Sequence, residues 1–182
     1  MNPRTTINCG LLLLALLVPR AASAQGARLQ LDHLNRLTEK AKDTVDVTVD
    51  AAMLKSTAGF LAGKDADTVK VQQVLEGITG IYVKSFQFDV PDAYTESDID
   101  AIRKQMAGPG WSRVVGIRGK RELTEIYFWK ERETNGGLVV IAAQPNELTI
   151  VNIVGRVDLA SLGALGPMIP KLPGAMRKAI PR

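Results

Sequence analysis

The sequence predicts one α+β domain, an antiparallel sheet covered by helices that come mainly from its first half. Three observations support this. Before Trp111 most apolar residues recur at helical spacing, whereas from Trp111 onward the period is two. The later segments are joined by short, turn-rich connections, which make sequential strands antiparallel neighbours. Leu138–Ala143 and Leu148–Val154 are apolar on both faces, as strands buried from two sides would be.

Arg28–Lys42 reads as a helix, with Leu31, Leu34, Leu37, Thr38 and Ala41 along one face. Val45, Val47 and Val49 then alternate with Asp46, Thr48 and Asp50, the pattern of a half-buried strand. Asp50 is placed to cap a second helix, Ala51–Ala62, with Met53, Leu54, Ala58, Phe60 and Leu61 on a broad apolar face and Gly63 as its stop. A third helix is predicted over Ala66–Glu76. Gly80–Val90 is β-branched and aromatic, with Tyr82, Phe86 and Phe88 on one side and Ile81 and Val83 on the other.

Thr95 and Asp98 form a capping-box pattern, and Tyr94 and Ile99 a hydrophobic staple, for a helix that runs to Met106 and ends at Gly108-Pro109-Gly110. Four strands follow: Trp111–Arg118, Leu123–Glu131, Leu138–Gln144 and Glu147–Gly155. Their turns are Gly119-Lys120-Arg121-Glu122, Asn135-Gly136-Gly137 and Pro145-Asn146. The expected sheet is therefore a C-terminal four-strand meander plus an earlier strand. A last helical turn is predicted at Leu159–Leu162.

The first residues predict export. Arg4 precedes the apolar run Cys9–Val18, Pro19 breaks it, and Ala22-Ser23-Ala24 supplies the small-x-small pattern of a signal peptidase site. The run is too short to span a bilayer, which takes roughly 18 residues or more. Cleavage is expected between Ala24 and Gln25, giving a signal peptide (1–24), one domain (25–166) and a basic, proline-containing tail (167–182). Arg4 and Arg20 leave with the signal, so the 23 basic and 19 acidic side chains become nearly balanced. That balance gives little reason to expect a nucleic-acid partner. Cys9, the only cysteine, lies at the front of the apolar run and not at the cleavage point. Release without a lipid anchor is therefore predicted, as a mature chain that has no thiol for disulfide, metal or nucleophile.

Candidate chemistry is sparse. His33 is the only histidine, so a zinc site would have to rely on carboxylates. No Gly-x-Ser-x-Gly elbow and no phosphate-cradling glycine loop occurs. Asp46 with Asp50, and Asp65 with Asp67, read as a solvated strand face and helix caps. The strongest binding candidate is an aromatic–cationic set, Trp111, Arg113, Tyr127 and Trp129, which strand alternation can bring to one sheet face if the register allows. Lys171, Arg177, Lys178 and Arg182 make the tail basic. A weak contact with an anionic membrane surface is open to it, although Pro167, Pro170 and Pro173 preclude a long amphipathic helix.

From Val45 to Leu172 the chain resembles DUF4252, a family of exported bacterial domains of unknown function. The resemblance rests on Val45–Asp50, Gly80–Asp89, Pro109–Gly116, Glu147–Gly155 and the ending Ile169-Pro170-Lys171-Leu172. It implies an exported α+β domain with no assigned ligand, cofactor or catalytic residue. It also implies a link to envelope signalling, near extracytoplasmic-type sigma factors and their inhibitors. Relatives anchored as lipoproteins carry a cysteine that this chain lacks at its cleavage point. The expected function is that of a non-catalytic exported domain, periplasmic or secreted, which binds a protein partner in envelope homeostasis or signalling. A glycan or small-ligand binder on the Trp111/Arg113/Tyr127/Trp129 face is the alternative, followed by a metal-independent carboxylate hydrolase. No cofactor is predicted.

Overall fold

A computed structural model describes residues 26–60, 75–131 and 134–157. The predicted signal and its expected cleavage residues Ala24 and Gln25, most of the predicted helix Ala66–Glu76, the predicted turn Leu159–Leu162 and the basic tail lie outside them.

Six strands form one antiparallel sheet: β1 (Asp43–Asp50), β2 (Ile78–Gln87), β3 (Trp111–Arg118), β4 (Leu123–Glu131), β5 (Thr134–Gln144) and β6 (Glu147–Gly155). Their order is β1-β2-β6-β5-β4-β3. The predicted meander runs from β3 to β6, and β2 pairs on the far side of β6. β5 and β6 are thus central, which explains their double-sided apolar sequences: Leu138, Val139, Val140 and Ile141 are all buried, as are Leu148, Ile150, Val151 and Ile153.

Each sheet face supports its own core. On the first face, Phe86, Val139, Ile141, Leu148 and Ile150 pack with Leu29, Leu31, Leu34 and Leu37, and with Ile99, Ile102 and Met106 from helix α2 (Glu96–Gln105). On the second, Val83, Ile126, Phe128, Val140, Val151 and Ile153 pack with Leu54 of helix α1 (Ala51–Phe60) and with Leu75. Each such side chain contributes about 1.5–3 kcal/mol when fully buried.

The local signals explain most element boundaries. Asp50 Oδ1 accepts hydrogen bonds from the amides of Ala52 and Met53, both at 2.9 Å, and so caps α1. At the start of α2 the Asp98 carboxylate accepts from the Thr95 amide at 2.8 Å. Tyr94 and Ile99 join the same core as the staple predicts, and the Tyr94 hydroxyl donates to the Gln144 carbonyl at 2.6 Å.

Four expectations need correction. The predicted helix Arg28–Lys42 is a 3-10 segment, Asp32–Lys40, preceded by an irregular stretch. Leu31, Leu34 and Leu37 repeat every three residues, which matches three residues per turn and leaves Thr38 exposed. Met53 is exposed, because only Leu54 of that pair faces the sheet. β2 spans Ile78–Gln87, two residues earlier at its start than read, and Phe88 leaves the ladder to pair with Asn146. Asn135-Gly136-Gly137 lies inside β5 and is not a turn. Gly137 is there for a close approach, since a Cβ on it would sit 3.2 Å from the Ile153 carbonyl oxygen and closer still to the Ala27 side chain.

That approach is made by the stretch Gly26–Leu31, which crosses the first face as a strap. Asn152 on β6 is fully buried; its Oδ1 accepts from the Leu29 amide at 2.9 Å and its Nδ2 donates to the Ala27 carbonyl at 2.8 Å. From the other side Gln105 of α2 pairs with the backbone of Gln30 in both directions, each bond 2.8 Å. One side-chain amide beneath and one above hold the strap as a strand partner would.

Candidate functional site

The register brings all four aromatic–cationic candidates to the first sheet face. Trp111 lies opposite Trp129, and Arg113 opposite Tyr127. A β-bulge between Arg113 and Val115 leaves Val114 as the extra residue. The bulge turns Val115 towards the second core and places Gly116 beside Glu125.

The four do not form an open aromatic platform. Trp111 is half-buried against the first core. The Trp129 indole lies against Gly26 of the strap and against Gly110, where a Cβ would stand 2.8 Å from Nε1. Gly110 has a φ of +96°, so both its conformation and the indole exclude a side chain there. Tyr127 is half-buried, and only Arg113 is largely open, with 56 % of its side chain exposed.

Beneath Arg113 lies a residue that charge counting reads as a surface acid. Glu125 is 2 % exposed and accepts hydrogen bonds from Arg103 Nε at 2.9 Å, Arg103 Nη2 at 3.2 Å, Arg113 Nη1 at 3.2 Å and the Tyr127 hydroxyl at 3.1 Å. Arg103, on α2, also reaches Glu96 at 2.5 Å and Asp100 at 2.9 Å. Strand parity contains the missed signal: Glu125 shares its side of β4 with Leu123, Tyr127 and Trp129. An acid on a core-facing row needs a partner, and Arg103 provides it two-handed.

The electrostatics suit a scaffold. Burial pushes the Glu125 carboxyl upward, but the Arg103 guanidinium, then Tyr127 and Arg113, hold it below the ordinary carboxylate value. The Arg103 guanidinium is raised in turn, chiefly by its bond to Glu125. Burial and then the Glu125 charge raise the Tyr127 phenol. A carboxylate held low and saturated with donors is a poor proton shuttle near neutral pH. The network pins α2 to the sheet and fixes Arg113 at the rim of β3.

The other candidate residues are committed elsewhere. Asp46 pairs with Lys84 at 2.5 Å, and the Lys84 ammonium also donates to Asn35 at 2.8 Å. His33 is half-buried, with its ring 3.3 Å from the Asp98 carbonyl oxygen. Asp98 itself is buried and paired with Arg36. Burial pushes its carboxyl up, but its bonds to Thr95 and Arg36 hold it lower than usual. Asp65 and Asp67 lie outside the described residues. Among those described, no three His, Cys, Asp or Glu side chains converge as metal ligands, and no helix is long and apolar enough to cross a membrane.

Two cavities lie among the described residues. One, of about 210 Å³, lies between Arg28, Asn35, Asp46, Tyr82 and Lys84, with the Arg28 guanidinium 4.5 Å from the Tyr82 ring centroid. The other, of about 260 Å³, lies at the end of β3 among Asp92, Tyr94, Arg118, Lys120, Arg121 and Glu122.

The model of the family described as Domain of unknown function (DUF4252) matches residues 38–165. The chain belongs to the DUF4252 family. The match spans β1 to β6 and both sheet faces, whereas the strap and its leucines, Leu29–Leu37, precede it. No curated protein and no solved structure matches the chain. The site of this DUF4252 domain must therefore be argued from its own geometry. Among the described residues, the β3 edge exposes two aliphatic side chains on one strand, Val114 at 50 % and Ile117 at 48 %.

Proposed function

We propose that this domain is exported, released without a lipid anchor, and works without catalysis by binding a protein partner in the cell envelope through the outer edge of its sheet. The observation that carries the reading is β3 itself: an edge strand with two exposed aliphatic side chains and an ordered arginine beside them. An unpaired strand edge offers a row of amide and carbonyl groups to another chain. The buried acids support a non-catalytic reading, since Glu125 is held ionised chiefly by Arg103 and Asp98 by Thr95 and Arg36, rather than poised to exchange protons. Export is supported by the signal-like first residues.

The test is affinity capture from a periplasmic fraction, using the mature chain and its Val114→Asp/Ile117→Asp variant. One specific protein should be retained by the parent and lost by a variant with an unchanged circular dichroism spectrum. Equal recovery by both, or no recovery together with turnover of an envelope substrate, would contradict the proposal.

A second reading, a glycan or small-ligand binder, draws on the half-exposed Trp111 and Tyr127 beside Arg113. It predicts quenching of tryptophan emission by soluble envelope glycans, lost in Trp111→Ala. The cover over Trp129 leaves it less surface than the edge offers.

A further inference from the structure

The two edges of the sheet are opposite in charge. β1 carries Asp43, Asp46 and Asp50 and no basic residue. β3 carries Arg113 and Arg118 and no acid, and the turn that follows holds Lys120 and Arg121 against one acid, Glu122. Among the described residues, Arg118 and Lys120 have no ionic partner, whereas Arg121 pairs with Asp92 at 3.1 Å. Arg113 gives one nitrogen to Glu125 and keeps the rest of its guanidinium open. The β3 edge is thus apolar in its middle, at Val114 and Ile117, and cationic at both ends.

We propose that β3 accepts an acidic, extended segment of the partner protein as a seventh, antiparallel strand. This deepens the binding role proposed above and rests on it. Main-chain hydrogen bonds to the edge supply affinity, and alternate acidic side chains face Arg113 and Arg118. The regular run Val115–Arg118, past the bulge, is the natural point of nucleation.

The same charges weigh against a second copy in the same place. Antiparallel pairing of two β3 strands centred between Val115 and Gly116 sets Arg113 of one against Arg118 of the other, and like charges directly opposite are destabilising. The aspartates of β1 act similarly at the other edge, where Asp46 is already held by Lys84. An acidic strand is repelled there and attracted at β3.

The experiment uses the mature chain and two labelled, end-capped octapeptides, one alternating valine with aspartate and the other valine with lysine, followed by fluorescence anisotropy. The aspartate peptide should bind, and the lysine peptide should bind at least about tenfold more weakly. Arg118→Glu/Lys120→Glu changes only exposed, unpaired groups and should weaken the aspartate peptide by about tenfold. Asp43→Lys on β1 should leave it unchanged, and raised salt should weaken it.

Equal binding of the two peptides, or no binding of the aspartate peptide by the folded parent, would overturn the proposal. Self-association that rises with protein concentration and is abolished by Arg118→Glu/Lys120→Glu would also overturn it, by assigning the edge to a second copy. The capture experiment separates the two levels. A partner retained equally by parent and Arg118→Glu/Lys120→Glu leaves a binding function standing and removes the acidic strand from it.

Discussion

Replacing Asn152 by alanine should detach the strap from the sheet. The native amide is fully buried and serves the Leu29 N–H at 2.9 Å, the Ala27 carbonyl at 2.8 Å and, more weakly, the Leu138 carbonyl at 3.4 Å. Ala27 and Leu29 are themselves 2 % and 6 % exposed, so water does not reach their backbone groups without movement. Each buried group left without a partner costs about 1–3 kcal/mol, so two full losses destabilise by roughly 2–6 kcal/mol. Local lifting of the strap limits the cost, but exposes Leu29 and uncovers the Trp129 indole where Gly26 lay. The assay is urea unfolding followed by circular dichroism, with tryptophan emission recorded in parallel. The expected outcome is a lower midpoint with a red-shifted native emission. A loss below about 1 kcal/mol with unchanged emission would refute the reasoning, because it would mean that Asn152 does not hold the strap.

Other expectations follow from the same contacts. Glu125→Gln breaks a buried charge network and should cost about 3–5 kcal/mol at neutral pH by chemical denaturation. Glu125 and Asp98 have folded-state values below their ordinary 4.5 and 3.8, so their contribution is complete above those values and is lost as the pH falls through the folded ones. Stability measured below pH 4.5 should therefore drop, and Glu125→Gln should flatten that drop. Leu34→Ala, at a fully buried position of the 3-10 segment, should cost about 2–5 kcal/mol. Gly137→Val should displace Ala27 and reproduce the emission shift of Asn152→Ala; a native-like spectrum with parental stability would count against the close approach.

Much of the fold was legible because local rules and tertiary packing agree. The period-two segments after Trp111, the Asp50 cap and the Thr95–Asp98 start all stand where alternation and capping put them. Misreadings arose where two structures share one pattern. Leu31, Leu34 and Leu37 satisfy both helix periods, and only their strict threefold repeat favours the 3-10 form. Asn135-Gly136-Gly137 is turn-like in composition, yet Gly137 answers to a segment distant in sequence, Ala27, which no local reading can see. At the candidate site, alternation puts Trp111, Arg113, Tyr127 and Trp129 on one sheet face, where the register also has them. What it could not supply was the third dimension: the strap over Trp129, α2 delivering Arg103 to Glu125, and the bulge that leaves Val114 outside. The edge position of β3 depends on sheet order, which chain order alone does not determine.

The central claim is that β3 is the binding edge, and backbone amide hydrogen exchange of the chain from Gln25 onward tests it most directly, with and without the valine–aspartate peptide. Slowed exchange confined to the amides of Trp111–Arg118, with those of Asp43–Asp50 unchanged, is the predicted result. Protection appearing on β1, or no change on β3 at peptide concentrations that saturate the anisotropy signal, would contradict it.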